Sequence, residues 1–232
     1  MKKNLLAALF VAFLCFSCAS IAEDNALTDS EKSEGWELLF DGKSMEKWKN
    51  FKKDGISDKW QIKDGAMVLT GKGGGDVMTK KLYKNFDLKL EWKIAEGGNS
   101  GIFILADEKG ARIYSHAPEI QILDNERHSD RQKPNHRSGS LYDMITSPAE
   151  SHKKAGEWNQ VRIMLKDKHL KVWQNGVQTV DIVIDSSKWK ELVGASKFKN
   201  WKGFAASESG AIGLQDHGDV VSFKNLKIKA LD

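Results

Sequence analysis

Three separated clusters in this chain carry side chains able to move protons or to grip hydroxyl groups. The first is Glu119 and Gln121, within Pro118-Glu119-Ile120-Gln121-Ile122-Leu123-Asp124-Asn125. The second is Asn99-Ser100, and the third is Gln215-Asp216-His217. A glutamate works as a base near neutral pH when burial raises its pKa, and histidine needs little tuning. Two carboxylates and a histidine brought within reach of one another would suffice for proton transfer. Each cluster also has a plainer reading. Alternation is the ordinary pattern of an antiparallel strand with one wet face. Gln215-Asp216-His217-Gly218 could be only a tight turn in which Asp216 caps backbone N–H groups.

Other chemistries find less support. HxH, HExxH and CxxC spacings are absent, so zinc is not indicated. A calcium or manganese ion on Glu119, Asp124 or Asp216 suits the residue types, but nothing in the spacing requires it. Ser100 and Ser140 have glycine neighbours without a nucleophile-elbow pattern. The run Gly71 to Gly75 lacks a Gly-Lys-Ser/Thr ending and reads as a turn rather than a phosphate loop. His116, His136, His152 and His169 lie among polar residues and read as surface groups.

The elements that must position the clusters are short strands. In Pro118–Asn125, Ile120 and Ile122 point one way, with Glu119 and Gln121 the other. Strict alternation places Asp124 on the isoleucine face. Phe86 to Ile94 alternates five apolar residues with four charged ones, a half-buried strand. Ile102 to Leu105 reads as a fully buried one. Trp60–Lys63 and Ala66–Leu69 flank Asp64-Gly65, and His169–Gln174 and Val177–Ile184 flank Asn175-Gly176, both signals for two-residue hairpin turns. Gly35–Phe40, Leu141–Ile145, Trp158–Leu165 and Val220–Lys229 are further strand candidates. Arg127–Gly139 reads as a loop, and Ser186–Lys202 as a loop with a short helical turn. No long 3.6-residue apolar stripe is present. The pattern predicts an all-β sandwich of two antiparallel sheets in a single domain, 35–232.

Composition is that of a globular protein, with 40% hydrophobic and 29% charged residues, enough for a sizeable core. Met1-Lys2-Lys3, an apolar run from Leu5 to Phe16 and small residues at Ser20 and Ala22 make a secretory signal over residues 1–22, too short for a comfortable membrane span. The alternative is a lipoprotein anchored at Cys18, the one route by which a membrane would be a partner. Either way the protein is exported, periplasmic or secreted. Residues 23–34 are polar and acidic and read as a flexible leader. Lys2 and Lys3 leave with the signal, so the net charge of +4 falls to +2, too little to argue for nucleic acid.

Several motifs, in order along the chain, resemble the 3-keto-disaccharide hydrolase family, long known as DUF1080. They are Gly35-Trp36-Glu37-Leu38-Leu39-Phe40-Asp41-Gly42 with Trp48, Trp60-Gln61-Ile62-Lys63-Asp64-Gly65, Asn99-Ser100-Gly101-Ile102, and Pro118–Asn125. Ser138-Gly139-Ser140-Leu141-Tyr142-Asp143, Trp158-Asn159, Trp173-Gln174-Asn175-Gly176 and Ile212–Gly218 complete the set. No single motif is strong, but the ordered set is specific. The resemblance implies a concanavalin A-like jelly roll and cleavage of glycosides oxidised at C3. Such a reaction needs a base for the C2 hydrogen, a group that stabilises the enolate and an acid for the leaving oxygen. It does not need the paired carboxylates of an ordinary glycosidase.

On that footing Glu119 is expected as the base and His217 as the acid or second base. Asn99, Gln121 and Gln215 would orient sugar hydroxyls, with Tyr142 and Trp173 as stacking or donor groups. Arg162 or a divalent metal would stabilise the enolate, and Asp124 would hold a metal or the shape of the site. The competing reading is a non-catalytic carbohydrate-binding module, which needs aromatic and amide side chains but no base.

Overall fold

A computed structural model describes Glu23–Asp232. The expected signal segment, with Cys15 and Cys18, lies outside the described residues. Among the described residues no helix is long and apolar enough to cross a membrane.

Among the described residues thirteen strands form two antiparallel sheets. The larger sheet has the order β11 (Val177–Val183), β10 (His169–Gln174), β9 (Asn159–Lys166), β6 (Phe86–Ile94), β13 (Val221–Ala230), β4 (Ala66–Leu69) and β3 (Trp60–Lys63). In the same sheet β1 (Trp36–Leu38) also pairs with β13. The smaller sheet runs β2 (Trp48–Asn50), β5 (Val77–Thr79), β12 (Ala211–Leu214), β7 (Asn99–Ala106) and β8 (Glu119–Leu123). Both hairpins form where the turn dipeptides place them. Asn175 has φ 50° and Gly176 has φ 82°, as the mirror-image turn requires.

The core lies between the sheets. Phe86, Leu88, Leu90, Trp92 and Ile94 of β6 are all buried there, facing Ile102 and Ile104 of β7 and Ile120 and Ile122 of β8. Their alternate residues differ by sheet. Lys89, Glu91 and Lys93 on β6 are half-exposed, whereas all five residues of β8 are buried. The far face of the smaller sheet is therefore covered too. Residues 139–142 run along the edge of β8: Gly139 N–H donates to Gln121 O (2.8 Å) and Tyr142 N–H to Glu119 O (3.0 Å).

Two expectations change. Leu141–Ile145 is no strand; Leu141 makes only single bridges, to Ile120 and Ile145. Residues 23–34 are tied down rather than loose. Thr28 and Glu31 close a capping box on α1 (Asp29–Ser33). The Glu31 carboxylate then reaches Lys227 at 2.5 Å. Asn25 Oδ1 accepts Asn225 N–H (2.9 Å), Asn225 Oδ1 accepts Asn25 N–H (2.6 Å), and Asn25 Nδ2 donates to Gly65 O (2.8 Å). Polar composition suggested a leader because it shows no apolar stripe; the segment is instead fastened by hydrogen bonds. Asn25→Ala removes two of these bonds and should cost about 1–3 kcal/mol at roughly 0.5–1.5 kcal/mol each. Urea unfolding measures the loss, and hydrogen exchange should quicken across 24–34 while the sheet amides keep their protection.

Candidate functional site

Burying Ile120 and Ile122 forces Glu119 and Gln121 to the outer face of the smaller sheet. On the neighbouring strand, burial of Ile102 and Ile104 sends Asn99, Gly101 and Phe103 to that same face. Gly101 lies opposite Gln121, and Phe103 opposite Glu119. The third strand delivers Gln215, whose N–H donates to Gly101 O (3.0 Å). A cavity of about 350 Å³ stands over this patch, with Asn99, Glu119, Gln121, Gln215 and His217 from the sheet side. Tyr114, Tyr142, Lys197 and Trp201 enclose it from the loops. Gly101 makes the floor: a Cβ there would come 2.8 Å from Cδ of Glu119 and collide with its carboxylate oxygen.

Glu119 is 7% exposed. Burial pushes its carboxyl up to about 8, opposed by the charge of Lys197 and reinforced by those of Asp76 and Asp130. Burial likewise lowers Lys197 and raises the Tyr142 phenol, so Tyr142 stays a hydrogen-bond donor at any ordinary pH. The amides around Glu119 are unusual in being unsatisfied. Asn99 Oδ1, both Gln121 side-chain atoms and Gln215 Oε1 are buried without a hydrogen-bond partner. Such groups cost about 1–3 kcal/mol each when left unpaired. Three of them converging on one cavity form a preset array for a ligand with many hydroxyls.

The structure brings together Glu119, His217, Asn99, Gln121, Tyr142 and Gln215. Glu119 and His217 line one cavity, with His217 half-exposed at its rim, 50% by side chain. Arg162 and Trp173 do not join them. They sit on the outer face of the other sheet, where Arg162 forks onto Asp87 (2.9 and 2.6 Å) and lies over the Trp173 ring. Strand alternation by itself does not say which of the two sheets a residue belongs to.

Neither candidate metal residue fits a metal. Burial alone would raise Asp124, but N–H bonds from Gly97 (2.6 Å) and Glu126 (3.0 Å) outweigh it and hold the carboxylate below its usual range. Asp216 accepts N–H groups from Gly73, Gly75 and Gly218 (3.2, 2.7 and 2.8 Å). It is the tight-turn alternative, and it pins the glycine-rich turn as well. Among the described residues no three His, Cys, Asp or Glu side chains are grouped to hold a metal.

Three wall residues have no signal in the sequence: Tyr114, Lys197 and Trp201. Lys197 opens and Trp201 caps a single 3-10 turn, Lys197–Asn200, after helix α2 (Ser187–Ala195), in a lysine-rich stretch that reads as a loop with a short helical turn. His136, expected at the surface, is buried. Its Nε2 meets Asp143 Oδ1 at 2.9 Å, and its ring packs tilted by 36° against Tyr142, 4.2 Å between centroids. The other oxygen of Asp143 accepts the Lys197 N–H (2.8 Å). One carboxylate therefore fixes two walls of the cavity.

A sequence profile described as a 3-keto-alpha-glucoside-1,2-lyase-like domain matches residues 35–229. A protein of Bacteroides thetaiotaomicron named 3-keto-disaccharide hydrolase is 38% identical, covering 91% of this chain and 83% of its own. A crystal structure from Parabacteroides distasonis, provisionally named a glycosyl hydrolase, is 34% identical with a TM-score of 0.85, covering 90% of this chain and all of its own. A Bacillus subtilis protein with a galectin-like fold superposes with a TM-score of 0.54 at 11% identity, a likeness of fold alone. The expected jelly-roll sandwich is the fold of this chain.

Gly101→Ala should destabilise by about 1–3 kcal/mol, the usual cost of overpacking. Urea unfolding tests this against Gly55→Ala, where an added Cβ meets nothing within 4 Å and stability should hold.

Proposed function

Because the chain belongs to the 3-keto-alpha-glucoside-1,2-lyase-like family, we propose that it cleaves glucosides already oxidised to a ketone at C3. The ketone acidifies the C2 hydrogen. Glu119 takes that proton, and the electron pair passes to O3 as an enolate. Collapse of the enolate forms the C1–C2 double bond and breaks the C1–O bond. The leaving oxygen takes a proton, from His217 in this reading, and departs as an alcohol. Water then adds at C1 and a proton returns to C2, giving 3-keto-glucose. The net change is hydrolysis, and no nucleophile is attached to the protein.

The observation that carries this reading is Glu119 itself, a dry carboxylate among unsatisfied amides. A binding module has use for the amides and aromatic rings but none for a carboxyl lifted to about 8. The amides supply donors and acceptors for O2, O4 and O6 of a sugar ring, and Tyr114 and Trp201 supply faces for its C–H groups. The reading includes export, which rests on residues 1–22 alone.

Methyl α- and β-glucosides, with and without C3 oxidation, test it. Only the oxidised forms should release 3-keto-glucose; equal cleavage of the unoxidised parents, or no cleavage of either, sinks the proposal. Glu119→Gln should lose about 10²–10⁴ in kcat, the usual share of a general base. Since the base is the ionised form, Glu119 should give kcat/KM a limb that rises with pH through about 8 and that Glu119→Gln lacks. A fall through that value would make Glu119 the acid instead.

The same shift has a stability consequence. The folded value is raised above the ordinary 4.5, so ionisation in the folded state costs free energy. That cost is nil below 4.5, grows as pH rises and is complete above about 8. Relative to wild type, Glu119→Gln should melt at the same temperature near pH 4.5 and higher at pH 9, by about 2–4 °C per kcal/mol relieved.

A further inference from the structure

We propose that Lys197 is the catalytic group that stabilises the enolate oxygen, an assignment that rests on the reaction proposed above. The elimination needs a cation or strong donor facing O3, and Arg162, the side chain expected to serve, lies on the other sheet. Lys197 is the lysine that lines the cavity with Glu119. Its Nζ lies 4.2 Å from the centroid of the Tyr142 ring, 5.3 Å from Phe198 and 5.6 Å from Trp201. Ring faces favour an ammonium without giving it a hydrogen-bond acceptor. Among the described residues its Nζ has no ion pair or hydrogen bond; only its backbone N–H is engaged, by Asp143.

That pattern differs from lysines on the other sheet. Lys224 and Lys227 meet carboxylates at 2.7 and 2.5 Å. Lys197 and Glu119 feel each other's charge yet do not bond, which leaves the ammonium N–H groups unspent in the cavity that Glu119, itself hydrogen-bonded by Gln215, also lines. A 3-keto sugar placed between them would present C2–H to one and O3 to the other. As the C2 proton moves to Glu119, charge grows on O3, and a donor already in place and shielded from water stabilises it without reorganising. Asp143 makes the placement rigid. It holds the Lys197 backbone and, through His136, the Tyr142 ring under the ammonium.

The test separates enolate formation from bond cleavage. The 3-keto form of 1,5-anhydroglucitol has no glycosidic leaving group at C1, so glycoside cleavage is impossible and the readout is exchange of its C2 hydrogen for solvent deuterium. Wild type should exchange it and should cleave the 3-keto methyl glucosides. Lys197→Met keeps the stem over the rings and drops the charge. It should lose about 10²–10³ in kcat, as when an oxyanion donor is removed, with a parallel loss of exchange and little change in KM. Lys197→Arg, which keeps the charge, should recover part of both. Borohydride added during turnover should leave the protein mass unchanged.

If wild type cleaves but a folded Lys197→Met matches it in cleavage and exchange, the role of Lys197 is overturned while the reaction stands. Lys197→Gln replaces the methionine variant should that one not fold. A borohydride-trapped adduct on Lys197 also overturns the assignment, because the amine would then be attacking the ketone to form an imine and water. Failure of wild type on every oxidised sugar removes the reaction and this role together.

Discussion

Glu119 occupies the face of β8 that a sandwich would ordinarily leave to water, and keeping its carboxylate dry shapes everything around it. Ile120 and Ile122 anchor the strand in the core, so the register of the sheet fixes which side chains face outward. A slip of one residue would exchange the two sets and destroy core and cavity together. Gly101 clears the volume the carboxylate needs. Segment 139–142 and the turn at Lys197–Asn200 then roof a face that the sheet could not cover by itself.

The roof is held by polar contacts whose members each serve two neighbours. Asp143 joins the Lys197 backbone to the His136 ring, and His136 backs Tyr142. Ser140 Oγ accepts the N–H of Ser147, and the Ser147 hydroxyl donates to Ser138 O, closing the loop beneath. In a low-dielectric setting such connected bonds stiffen one another. The cavity side shows the opposite economy, with amide atoms buried and unpaired. Stability is given up there in exchange for readiness to bind, the common pattern at functional sites.

The same logic separates the two faces that carry tryptophan and arginine. On the outer face of the larger sheet, Trp173 is covered by Arg162 and Arg162 is consumed by Asp87. Both of those side chains have a partner there. On the outer face of the smaller sheet, Lys197 is surrounded by rings and the amides face empty space. Residue type alone would rank Arg162 and Trp173 as good sugar contacts. Satisfaction of their bonding capacity is what removes them.

The sequence by itself determined the sandwich, the two hairpins, the direction of Glu119 and Gln121, and the joint membership of Asn99, Glu119, Gln121, Tyr142, Gln215 and His217 in one set of motifs. These follow from local rules: period-two alternation, turn dipeptides that need positive φ, and short ordered motifs. Tertiary structure decided what those rules do not reach. It placed Arg162 and Trp173 behind the wrong sheet, buried His136, spent Asp124 and Asp216 on backbone N–H groups, tied the acidic leader to β13, and brought Lys197, Tyr114 and Trp201 into the wall. Alternation tells a side chain which way to point, but not which of two sheets stands behind it. A lysine in a lysine-rich loop becomes distinctive only when its neighbours across the fold deny it a carboxylate.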